Sequence, residues 1–94
     1  MIPVISADQI PQELLCKEDV FADQALRRKR IQQLQQAARR NRMFYSKAII
    51  CFETLSGPKQ VCAHIWEVTD TYLILKGGIN LPIACVREVS ISDN

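Results

Sequence analysis

Two short runs of cations are the residues whose type and spacing best suit chemistry. Arg27-Arg28-Lys29-Arg30 and Arg39-Arg40-Asn41-Arg42 stand about 12 residues apart, roughly 18 Å along a helix. Planar guanidinium forks meet carboxylate or phosphate oxygens two at a time. The glutamines between the runs can hydrogen-bond to bases or backbone. Arg28, Lys29, Arg39, Arg40 and Arg42 are therefore the first candidate binding face. Two plainer readings stand beside it. A solvated helix face is often basic for solubility alone, and the acids before it, Glu13, Glu18, Asp19 and Asp23, are placed to neutralise part of it.

Trp66 is the sole tryptophan and His64 the sole histidine. With Cys62 and Tyr72 they define a second candidate, a sheet patch, because tryptophan and tyrosine are the side chains that most often anchor a partner. The plainer reading puts Trp66 at a barrel end or under the helix. His64 as a general base would need a nucleophile and an orienting acid. Cys62 stands two residues away, but no third member is indicated, so His64 reads as structural. Cys62-Ala63-His64 lacks the paired ligands of a zinc site, no glycine-rich loop leads from a strand into a helix, and no carboxylates pair at a telling spacing. The expectation is a protein without catalytic residues, metal or cofactor.

The 94 residues suffice for one core, and with 48% hydrophobic and 23% charged residues the chain is expected to fold as a single domain, residues 1–94. No apolar run approaches the roughly 18 residues that span a bilayer. The opening stretch lacks the basic start and apolar block of a secretory signal. Cys16, Cys51, Cys62 and Cys85 are too scattered for a disulfide scaffold and read as reduced, half-buried small side chains. These features point to the cytoplasm. Net charge is +2, but it is unevenly laid out. Residues 1–23 are acidic, residues 24–47 hold eight basic residues and no acid, and residues 48–94 are mildly acidic.

The elements that must position these groups follow from hydrophobic period. Residues 1–22, interrupted by Pro3 and Pro11, form an acidic arm with a helical turn or two near Ile10, tucked down by Leu14, Leu15, Val20 and Phe21. Residues 23–42 predict a helix capped by Asp23. Leu26, Ile31, Leu34, Ala37 and Ala38 fall on its inner side, with Arg27 and Arg30 snorkelling at the edges. From residue 46 to residue 91 the period becomes two. Strands are expected over 47–54, 60–68, 72–76, 79–82 and 88–91, with a turn at Ser56-Gly57-Pro58-Lys59, a hairpin at Gly77-Gly78 and a single 3₁₀ turn over 83–86.

Five short strands with a 3₁₀ turn before the last predict a mainly β, α+β fold, a small five-stranded antiparallel SH3-like or Sm-like barrel packed by one amphipathic helix. Curling the sheet removes most of its free edge. An open sheet crossed by the helix is the alternative. Phe52-Glu53-Thr54, Trp66-Glu67-Val68, Leu75-Lys76-Gly77-Gly78 and Pro82-Ile83 resemble the motifs of a small uncharacterised bacterial family with a basic helix and a compact β unit. The resemblance spans about two-thirds of the chain and implies no known function. The layout is also similar to that of the Sm-like RNA chaperones, but Pro82-Ile83-Ala84 stands where those chaperones carry their uridine-holding Lys-His pair. The expected function is a non-catalytic adaptor whose basic helix meets an acidic or protein partner, with RNA or DNA as the alternative. A second copy recruited through an edge strand is a further possibility.

Overall fold

A computed structural model describes residues 2–13 and 15–92; Leu14, expected to tuck the arm down, lies outside the described residues. The strands are β1 (Val4–Ile5), β2 (Ala48–Thr54), β3 (Gly57–Ala63), β4 (Ile65–Val68), β5 (Tyr72–Leu75), β6 (Ile79–Pro82) and β7 (Val86–Ile91), with one α-helix, α1 (Gln24–Phe44). They form an α+β fold with two sheets, ordered β1-β3-β2-β7 and β4-β5-β6. The expected α+β fold with one helix is present, with seven strands in two sheets where five were expected; among the described residues no ladder joins the two sheets. Helix α1 lies against both β4 and β7.

Alternation in the sequence becomes a buried face. Along β2, Ala48, Ile50, Phe52 and Thr54 point inward while Ile49, Cys51 and Glu53 are half-buried. Val61, Ile65, Leu73, Leu75, Leu81, Val86 and Leu34 of α1 join them with no exposed surface. A side chain of this size contributes about 1.5–3 kcal/mol when fully buried. The strand expected over 60–68 divides at His64 into β3 and β4 and so passes from one sheet to the other.

Two turns moved and one held. The first hairpin turns at Leu55 and Ser56, with Gly57 (φ 114°) already paired to Thr54. Pro58 can sit inside β3 because β1 pairs only with Gln60 and Val61, leaving the other side of Pro58 without a ladder to break. The last strand starts at Val86, two residues earlier than expected, and its register slips so that Arg87 is the extra residue opposite Cys51 and Phe52. The bulged Arg87 is aimed at Glu53, Nε to Oε1 2.6 Å. Gly77 and Gly78, at φ 94° and 79°, make the hairpin that their conformational freedom allows.

The arm is more fixed than its composition suggests. β1 pairs in parallel with β3, Ser6 and Gln9 box the start of a 3₁₀ stretch (Ala7–Gln12), and Ile10 is fully buried. That stretch packs on β6. Leu15 bridges to Thr54, and the Val20 N–H donates to the Ala84 carbonyl at 2.9 Å. The edge strands β4 and β7 have α1 beside them and β6 has the 3₁₀ stretch, which helps guard their unpaired backbone groups.

Candidate functional site

Helix α1 is the platform. Asp23 caps it, its side chain accepting from the Ala25 N–H at 2.7 Å, and the helix runs two residues past the expected end through Met43 and Phe44. It stops where Tyr45 turns left-handed (φ 52°), its N–H donating to the Asn41 carbonyl. A tyrosine in this conformation is strained by about 1–2 kcal/mol. The Tyr45 ring stacks on His64, centroids 3.8 Å apart, and the Lys76 ammonium reaches the Tyr45 hydroxyl. These contacts hold the turn.

His64 does not stand in the expected sheet patch. It is 6% exposed, lies at the break between β3 and β4, and donates from Nδ1 to the Asn41 Oδ1 at 2.7 Å. The strand break turns its ring inward beneath the helix end, whereas Cys62, two residues earlier, is exposed. Trp66 is the bulged residue of β4, between the pairs Ile65↔Leu75 and Glu67↔Ile74, and a bulge re-aims its side chain. It is 49% exposed, and Tyr72 is exposed as well. Among the described residues no ring contact joins Trp66 to Tyr72. The structure thus separates His64, which is buried, from Trp66 and Tyr72, which are both exposed on the paired strands β4 and β5.

The arginines of α1 have two fates. Arg30, expected to snorkel, is 4% exposed. Its two terminal nitrogens grip the Asp19 carboxylate at 2.9 and 2.7 Å, and one also donates to the Val86 carbonyl. The guanidinium lies over the Phe21 ring at 5.1 Å. Its Nε finds no partner among the described residues. Arg27 donates to the Phe21 carbonyl at 2.7 Å and approaches Asp19 at 3.5 Å. Burial pushes the Asp19 carboxyl up. Hydrogen bonds from Arg30 and the Phe21 N–H, with the charges of Arg30 and Arg27, outweigh it and hold the carboxyl below its ordinary 3.8. Among the described residues the acidic arm thus meets two cations of the first run with the single charge of Asp19.

Arg28, Lys29, Arg39, Arg40 and Arg42 are all exposed. Among the described residues none of them enters an ion pair. Beside them the helix end exposes Met43, Phe44 and Tyr45, with the Arg40 guanidinium 5.6 Å from the centre of the Phe44 ring. Nearer the N-terminus, Gln24, Arg27, Arg28, Ile31 and Gln32 line an open depression of about 390 Å³ with half-buried Ile31 as its apolar wall. No family model, curated protein or solved structure matches this chain. The site must be read from its own geometry. It is a strip of unpaired cations, interrupted by apolar footholds. Sequence reasoning missed those footholds, because it counted Ile31 with the inner side of the helix, where the structure leaves it half-buried, and ended the helix at residue 42, short of Met43.

Among the described residues no three His, Cys, Asp or Glu side chains converge as metal ligands, and no helix is long and apolar enough to cross a membrane.

Proposed function

We propose that this protein is a non-catalytic binding module that receives an acidic segment of a partner protein on the outer face of α1. The observation that carries the reading is the row Arg28, Lys29, Arg39, Arg40 and Arg42, exposed and, among the described residues, without ion-pair partners while Arg27 and Arg30 are engaged by Asp19. Cations that stability does not use are available for recognition. Arginine, methionine and aromatic residues are also the types enriched where proteins meet, and Met43, Phe44, Tyr45 and the Ile31 depression add apolar anchors to the charge. A partner segment would lay carboxylates on the arginines and an apolar side chain beside Ile31.

We read the β unit as an SH3-like barrel left open, with α1 filling the gap between β4 and β7. Four free cysteines suit a reducing compartment such as the cytoplasm.

A second reading, single-stranded nucleic acid, rests on the Arg40–Phe44 pair and the exposed Tyr45, since bases stack on such rings beside cations. One experiment separates the two. Fluorescence anisotropy is followed for a labelled peptide rich in Glu and Leu, and for labelled single-stranded RNA, at low and physiological salt. The wild type is compared with a variant carrying Arg28, Lys29, Arg39 and Arg40→Ala. Peptide binding that persists at physiological salt and is lost in the variant supports the protein reading. RNA binding with a steep salt slope and no peptide binding supports the second. Failure of both at low salt removes the helix face as a binding surface.

A further inference from the structure

Two cysteines that lie far apart in sequence meet inside the fold. Cys16, in the arm, and Cys85, at the end of the 3₁₀ turn (Ile83–Cys85) before β7, bring their sulfurs to 2.8 Å. The formed disulfide bond is about 2.05 Å, so the sulfurs stand inside van der Waals contact and less than one ångström from bonding distance. The Cys85 thiol also donates to the Cys16 carbonyl at 3.2 Å. Neighbouring links hold the two segments in place: the Val20 N–H on the Ala84 carbonyl, and Arg30 on both Asp19 and the Val86 carbonyl. The other two cysteines do not share this arrangement. Cys51 is half-buried on β2, Cys62 is exposed on β3, and neither has a sulfur contact.

We propose that Cys16 and Cys85 form a reversible redox site, joined as a disulfide by peroxide and separated by small thiols. Cys16 is half-buried while Cys85 has no exposed surface, so the first attack belongs to Cys16. Burial, with the hydrogen bond and charge of Cys16, pushes the Cys85 thiol up to about 12, which counts against it as the first attacker; its 2.8 Å contact with the Cys16 sulfur is what places it for the second step. In the first step the Cys16 sulfur attacks one peroxide oxygen. A sulfur–oxygen bond forms, the oxygen–oxygen bond breaks, and the departing hydroxide takes the thiol proton as water. The Cys85 sulfur then attacks the sulfenic sulfur. The disulfide forms, the sulfur–oxygen bond breaks, and hydroxide leaves with the Cys85 proton as a second water. Two thiols have lost two electrons, and one peroxide has become two waters. A thiol reductant reverses this by exchange, becoming a disulfide itself.

Bond formation would close a loop between residue 16 and residue 85 and staple the arm to the turn before β7. Because the loop is long, the unfolded chain loses much of its freedom, and the thermal midpoint should rise by about 10 °C or more.

The test uses a Cys51→Ser, Cys62→Ser variant of the full chain, treated with hydrogen peroxide, with and without a further Cys16→Ser change. The expected product is a monomer lighter by two hydrogen atoms, resistant to alkylation when unfolded, restored by dithiothreitol and higher in its melting midpoint. Adding Cys16→Ser should abolish all of these. In the wild type, peptide mapping after peroxide should join the Cys16 peptide to the Cys85 peptide, which keeps the test valid if the serine changes disturb β2 or β3. The proposal is overturned if the monomer gains only oxygen atoms, if both thiols remain alkylatable, or if the mapped bridge joins any other pair.

Discussion

The inner and outer faces of α1 carry the same residue type and use it in opposite ways. On the inner side Arg30 is buried, its charge cancelled by Asp19 and its plane laid on Phe21. On the outer side Arg28, Arg39, Arg40 and Arg42 are exposed and, among the described residues, enter no ion pair. The inner arginine is part of the fold, because a buried charge left without its partner is strongly destabilising. The outer ones contribute little to stability, because exposed charges are screened by water and salt. Composition treats all of them alike. What separates them is whether an element elsewhere in the chain supplies a carboxylate.

The contrast can be broken most forcefully at Asp19. Asp19→Ala leaves Arg30 charged and buried, and should destabilise the fold by about 3–5 kcal/mol, read as a shift in the urea midpoint. Replacing both partners with apolar residues, Asp19→Leu with Arg30→Met, should recover most of that loss. If the double variant is as unstable as the single one, the pair has a role beyond mutual neutralisation.

A smaller effect should appear with pH. The Asp19 carboxyl is held below 3.8 in the folded chain, so the folded state favours its charged form. Its contribution is present in full above the unfolded value and is lost as pH falls through the lower, folded value. Asp19→Asn should therefore show a shallower loss of stability below about pH 4 than the wild type when denaturant midpoints are compared. Equal slopes in the two proteins would place the acid sensitivity elsewhere.

The smallest effect belongs to the outer face. Changing Arg28, Lys29, Arg39 and Arg40 to Ala should move stability by no more than about 0.5 kcal/mol per site, while the anisotropy measurement loses its signal. A large loss of stability would show that these cations belong to the fold, and the contrast between the faces would disappear.

Much of this was legible along the chain. Asp23 as cap, the glycine and proline-free run after it, and the switch to period two near Ser46 located the helix and the β region, because local propensity and alternation are short-range properties. Gly77-Gly78 marked its hairpin for the same reason. The exposed cations were legible too, since a wheel needs only the helix period. Arg30 was misread because the wheel ranks residues by polarity. It sets Arg30 on the apolar side with Leu34 and Ala37 but cannot show that Asp19, eleven residues earlier, returns to meet it. His64 was misplaced because strict alternation assumes an unbroken strand, and the chain breaks there to change sheets.

By itself the sequence determined which segments are helix or strand, where the basic residues concentrate, and which side of β2 is apolar. Each of these depends on neighbours within a few positions. Only the tertiary structure decided that the strands divide into two sheets with α1 against both, that Arg30 is buried while Arg28 is exposed, that His64 lies under Tyr45, and that Cys16 meets Cys85. Each of those outcomes joins groups from distant parts of the chain. Such contacts depend on how the arm, helix and sheets pack together, and a pattern read along one strand or one helix holds no information about what arrives from the other side.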